Sequence, residues 1–152
     1  MKTRIAVIGV LAAVIVATPA LSTPGSGVVS APVLSRGVIE GKQKLKIKSE
    51  TSDVVVQQIT IAPGGHTGWH SHPGPVVVTV TAGELTYYPG HDKKCRPHVY
   101  SAGESFVDPG RGNVHIAFNE GTVPMVLYAT YLDVPVGGAF RIDVPDPGNC
   151  SF

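Results

Sequence analysis

The chain has 152 residues, 43% of them apolar and only 15% charged, with a formal net charge of +1. That suffices for one domain with a packed core and for no more, and a near-neutral chain without a basic block offers no surface for nucleic acid. The 18 glycines and 13 prolines suit short strands joined by tight turns rather than long helices.

The N-terminal segment comes first. Lys2 and Arg4 form a positive flank, and residues 5–17 are a 13-residue apolar run followed by small residues and prolines. This is the layout of a secretory signal. As a helix such a run reaches about 20 Å, short of a hydrocarbon core of roughly 30 Å. The expected organisation is therefore a signal peptide over 1–22, cleaved after Ala20 or Ser22, a flexible linker over 23–35 and a single domain over 36–152. An uncleaved membrane anchor is the alternative, because extending the run to Leu21 nearly spans a bilayer. Removing Lys2 and Arg4 leaves ten basic against eleven acidic side chains. The expected location is secreted or extracytoplasmic.

Strand signals follow. GVIEGKQKLKIK sets Leu45 and Ile47 in alternation with Lys44, Lys46 and Lys48, the period of a half-buried strand. DVVVQQITIAP is β-branched and stops at Pro63 and Gly64, a turn signal. PVVVTVTAGELTYYPG reads as a hairpin turning at Gly83, and VYSAGESFVDPG as a second one turning at Ala102 and Gly103. NVHIAFNEG and PMVLYATYLDVP add two strands, and FRIDVP a short last one. No segment after residue 22 holds a helical period over three turns. The predicted class is all-β, closed or sandwich-like.

Chemistry concentrates in two segments. His70 and His72 in GGHTGWHSHPGP are two residues apart, so a strand presents both on one face. His115 in DPGRGNVHIAFNEG can complete a three-nitrogen site for a divalent cation from a distant strand. Coordinating imidazoles must be neutral, and an unperturbed one has a pKa of about 6.5. Fe, Mn, Zn, Ni and Cu are not distinguished by this pattern.

Both segments resemble the paired motifs of the cupin superfamily. The first runs Gly64, five residues, His70 and His72, three residues, Val76, six residues, Gly83. The second contains Gly103, Pro109, Gly112, His115 and Asn119, with one extra residue between Pro109 and Gly112. The resemblance implies a double-stranded β-helix, the jelly-roll barrel, for the domain over 36–152. It also implies metal ligation by His70, His72 and His115. Val76 occupies the place of the family's glutamate ligand. Glu84 and Glu104 both sit in predicted turns away from ligand spacing, so the expected site has three nitrogens and no protein carboxylate. By the same resemblance, Asn119 is a structural hydrogen-bonding residue.

Around that site, His66, Val76 and Tyr87 are expected to line a substrate pocket, with His66 near its mouth if the strand runs unbroken to His70. Trp69 is expected outside the pocket, and His91 and His98 in a solvated connection. Cys95 in that connection and Cys150 near the C-terminus are expected to form a disulfide in an oxidising compartment. Two free thiols, or a thiolate on the metal, are the alternatives. The function these features imply is an exported metal-binding protein that takes a small-molecule ligand. The alternatives are a metal-dependent dioxygenase or oxidoreductase acting on a small chelating substrate, and a non-catalytic or metal-free structural protein. A small molecule is the expected partner, a homodimer is an allowed assembly, and a membrane enters only if the N-terminal segment is uncleaved.

Overall fold

In the computed structural model, which describes residues 30–152, the β-branched runs form the long strands. The expected signal segment over 1–22 and most of the expected linker over 23–35 lie outside the described residues. In chain order the strands are β1 (Val38–Ile39), β2 (Asp53–Ile61), β3 (His70–Ser71), β4 (Val76–Ala82), β5 (Glu84–Pro89), β6 (His98–Ser101), β7 (Glu104–Asp108), β8 (His115–Phe118), β9 (Met125–Val134) and β10 (Ile142–Asp143). No helix occurs among the described residues. β9 shows the sequence logic. Met125, Leu127, Ala129 and Tyr131 are buried, while the residues between them are partly exposed. Successive side chains of a strand face opposite ways, so a period-two pattern buries one face and wets the other.

The strands build two five-stranded sheets, in the orders β1-β7-β4-β9-β2 and β10-β3-β8-β5-β6. Val76, Val78 and Val80 of β4, Leu85 and Tyr87 of β5, Ala117 of β8 and the inward residues of β9 share one core between the sheets. Val80, Leu85 and Met125 are essentially inaccessible, and full burial of such side chains stabilises by about 1.5–3 kcal/mol each. This is the double-stranded β-helix that the motifs imply.

Two connections differ from expectation. β4 and β5 do not form a hairpin, nor do β6 and β7, because each pair is split between the two sheets. Gly83 and Gly103 are corners at which the chain crosses from one sheet to the other. Gly83 has a φ of 68°, and a Cβ there would meet the Pro124 carbonyl and the Met125 Cα at 2.9 Å. The true hairpin is β5–β6, paired from Glu84↔Ser101 to Tyr87↔His98, and its connection carries Cys95.

The strand expected around Leu45 and Ile47 also fails to form. β1 is confined to Val38–Ile39, paired in parallel with β7, and Leu45 and Ile47 remain exposed. Alternation supplies a face, but no neighbouring strand supplies a ladder. Asp133 fastens the segment instead, accepting from the Lys48 and Ser49 amides at 3.1 and 2.9 Å. Arg111 then bridges Asp133 at 2.6 Å and the Lys46 carbonyl at 2.7 Å.

The cysteines are joined. Cys95 and Cys150 form a disulfide with Cα atoms 5.2 Å apart. The tail it anchors lies against β5 and β8: Asn149 donates to the Pro89 and Asp92 carbonyls, and the Phe152 ring sits 4.6 Å from Phe118 and 5.0 Å from Tyr88.

Candidate metal centre

The β3–β8 ladder makes His70 and His115 direct partners. His72 follows one residue after β3, and its carbonyl accepts from the Arg111 amide at 2.7 Å. The ring centroids lie 4.3 Å apart for His70 and His115, 4.9 Å for His70 and His72, and 5.3 Å for His72 and His115. One nitrogen from each ring falls within 4.8 Å of the other two, close enough to share an ion. All three rings are buried, with 4–6% of their surface exposed.

Hydrogen bonds select the ligating nitrogen. His70 Nδ1 faces the Gly68 carbonyl at 2.9 Å, His72 Nδ1 the Phe140 carbonyl at 2.9 Å, and His115 Nδ1 the Asn113 carbonyl at 3.2 Å. A carbonyl oxygen only accepts, so each Nδ1 carries the proton and each Nε2 keeps its lone pair. A metal-bound imidazole is usually anchored in this way through its other nitrogen. The donor set therefore fits a divalent cation.

Electrostatics favours the same protonation. Burial pushes the His70 pKa down from 6.5 to about 3, with the neighbouring His115 as a second cause. Burial likewise lowers His72 and His115, although the Asp108 charge opposes it at both. Rings held neutral by burial meet little competition from protons, where free imidazoles would begin to take them up near pH 6.5.

Beside the rings lies a cavity of about 50 Å³. Its walls are mostly apolar, with Val76, Val78, Leu85, Phe106 and Leu127 among them, and Tyr87 and Thr67 add polar atoms. Val76 and Tyr87 thus face the cavity. His66 does not line it: its ring packs on Phe118 at 4.9 Å, and its Nδ1 accepts from the Gly68 amide at 3.0 Å. The reason is Gly68, whose φ of 72° breaks the strand before His70 and ends the alternation that would have turned His66 inward. Trp69 packs away from the cavity, near Phe152. Asn119 is fully buried and bonds the Ile61 and Val123 carbonyls through Nδ2, a purely structural role.

Neither Glu84 nor Glu104 reaches the histidines. Glu84 is exposed at the start of β5, and Glu104 accepts from the Ser101 amide across its own turn. The carboxylate near the site is Asp108, which sequence reasoning missed. It ends β7, is 2% exposed, lines the cavity and lies 3.2 Å from His115 Nδ1. Tyr87 Oη and Asn113 Nδ2 donate to its Oδ2 at 3.0 and 2.8 Å, and the Gly110 amide to its Oδ1 at 2.7 Å. Burial, then the Asp108 charge, push the Tyr87 phenol well above its ordinary value, so it stays protonated. The sequence signal for Asp108 was present only as the first residue of a turn, Asp-Pro-Gly.

The family model for the cupin domain matches residues 57–134, just over half of the chain and both histidine segments. No curated protein matches. Among solved structures, an uncharacterised conserved protein with a double-stranded β-helix domain from Klebsiella pneumoniae is 26% identical, with 73% of this chain and 91% of that one covered and a TM-score of 0.50. A cupin-like protein from Thermotoga maritima is 19% identical over 69% of this chain and 88% of that one, also at 0.50. A polyketide cyclase from Streptomyces resistomycificus is 20% identical over 64% and 67%, again at 0.50. At these identities the last two are similar in fold alone.

Proposed function

Because the chain belongs to the cupin family, we propose that it is an exported metal-binding protein that holds one divalent cation on His70, His72 and His115 and presents it to a small-molecule ligand. One observation carries this reading: three buried imidazoles each tied through Nδ1 to a backbone carbonyl, which leaves three Nε2 atoms for one ion. A bound cation would supply Lewis acidity and open positions for a ligand. The protein's part is to keep the rings neutral, fix their orientation and surround the ligand with apolar walls. Tyr87 lines the cavity with its O–H committed to Asp108 and its oxygen already accepting from Asn113 Nδ2, so it contributes a ring wall and no free donor there.

The cavity limits what enters. The space beside the rings, about 50 Å³, suits a small ligand. Three neutral imidazoles leave the cation's charge uncancelled by any ligating carboxylate, which favours an anionic ligand. Export agrees with the disulfide, since such bonds persist in oxidising compartments.

Elemental analysis of the mature protein, purified without chelators, tests the reading. One divalent ion per chain is the expected result. Protein that stays metal-free after incubation with zinc, manganese, iron, nickel and copper would overturn it. Oxygen consumption by the loaded protein with diketones, thiols or phenols would establish dioxygenase activity instead of binding alone.

A further inference from the structure

We propose that Asp108 balances the charge of the metal centre through His115, in place of the carboxylate that Val76 does not supply. The inference rests on the three-histidine reading and adds to it. Val76 and Asp108 are direct partners across the β4–β7 ladder. The carboxylate absent from one strand is thus present on its neighbour, at the same level of the barrel and facing the same cavity.

Its surroundings keep Asp108 from becoming a ligand. Oδ2 is held by Tyr87 and Asn113, and Oδ1 by the Gly110 amide. Among the described residues, the group whose donor atoms come together comprises the three histidines without Asp108. Buried and multiply hydrogen-bonded, the carboxylate stays close to His115 Nδ1 at 3.2 Å.

The three histidines are therefore unequal. His70 and His72 rest on neutral carbonyls, whereas His115 Nδ1, bonded to the Asn113 carbonyl, also has the Asp108 carboxylate beside it at 3.2 Å. A negative charge beside the far nitrogen of a ligating histidine raises the ring's basicity and so strengthens its bond to a metal. One buried negative charge thus offsets one of the cation's two. A glutamate at position 76 would do the same, but it would also occupy a coordination position. Here that position stays open to a ligand, beside Val76.

The test compares wild type with Asp108→Asn, both loaded with Co(II), whose visible spectrum reports coordination. Azide is the anionic probe. Expected for Asp108→Asn are retained Co(II) stoichiometry, shifted Co(II) absorption bands and zinc affinity about 10- to 100-fold lower. Azide affinity should rise, because the cation carries more uncompensated charge. A residue that merely props up the barrel would, when lost, weaken metal and azide together. That joint loss, or no change in either affinity, would overturn the proposal. Should Asp108→Asn not fold, Asn113→Ala keeps the carboxylate and removes one neutralising donor. It should act with the opposite sign, tightening zinc and weakening azide by about a few-fold, and unchanged affinities there would equally refute the role. Wild-type protein that takes up neither Co(II) nor zinc would overturn the three-histidine reading itself, a failure distinct from those of the variants.

Discussion

His70 and His115 are opposite each other in the β3–β8 ladder, with ring centroids 4.3 Å apart, although they belong to different motifs. This pairing turns two separate sequence signals into one site. Substituting either residue, or His72, by Ala should abolish stoichiometric metal. Glu84→Gln and Glu104→Gln should keep it, since both carboxylates are engaged or exposed elsewhere. Metal analysis of the five variants checks this, and full occupancy in His115→Ala would refute the site.

Acid should destabilise the metal-free protein through the same rings. Burial lowers the folded-state pKa of His70 to about 3, and lowers those of His72 and His115. An unfolded chain takes up these protons near pH 6.5. Below that pH the unfolded state binds more protons, so stability is full above about pH 6.5 and falls as pH drops toward 3. Chemical denaturation at several pH values measures the slope. A His70→Gln, His72→Gln, His115→Gln triple variant should flatten it, and an equally steep slope would place the acid sensitivity elsewhere.

The disulfide predicts a loss of stability without a loss of metal. It joins residues 55 apart, and closing such a loop is worth up to about 4 kcal/mol in the chain-entropy model. Cys150→Ser should lower the melting temperature and release the tail around Asn149 and Phe152. Co(II) stoichiometry should be unchanged, because among the described residues the histidine cluster includes neither cysteine. An unaltered melting curve would show that the aromatic contacts of Phe152 hold the tail by themselves.

Gly110 is a sharp structural test. Its φ is 62°, a Cβ there would collide with the Gly74 carbonyl, and its amide donates to Asp108. Gly110→Ala should cost on the order of 2–3 kcal/mol, from left-handed strain together with overpacking against backbone. Gly112→Ala has an equally left-handed φ of 81° but open space around it, so it should cost less. Thermal melts of the two variants compare strain with and without collision, and equal losses would remove the collision as a cause.

What the sequence determined by itself was local. β-branched runs and turn signals marked β2, β4 and β9, glycines marked the turns, and the spacing of His70 and His72 placed two imidazoles on one side of a short strand. The glycine and proline content suited short strands, and the two cysteines a tied tail. Only the tertiary structure decided which strands are neighbours. Alternation reads the same whether a glycine turn makes a hairpin or a crossing between sheets, so Gly83 and Gly103 were legible as turns but not as corners. The pattern around Leu45 and Ile47 predicted a strand that lacks a partner, because a ladder needs a second chain segment and alternation supplies only one. His66 escaped the pocket through a single left-handed residue, Gly68, which resets the facing of everything before it. Asp108 was illegible for the same reason in reverse. Its proximity to His115 and its register against Val76 come from pairing between β4 and β7, a long-range relation that no spacing along the chain encodes.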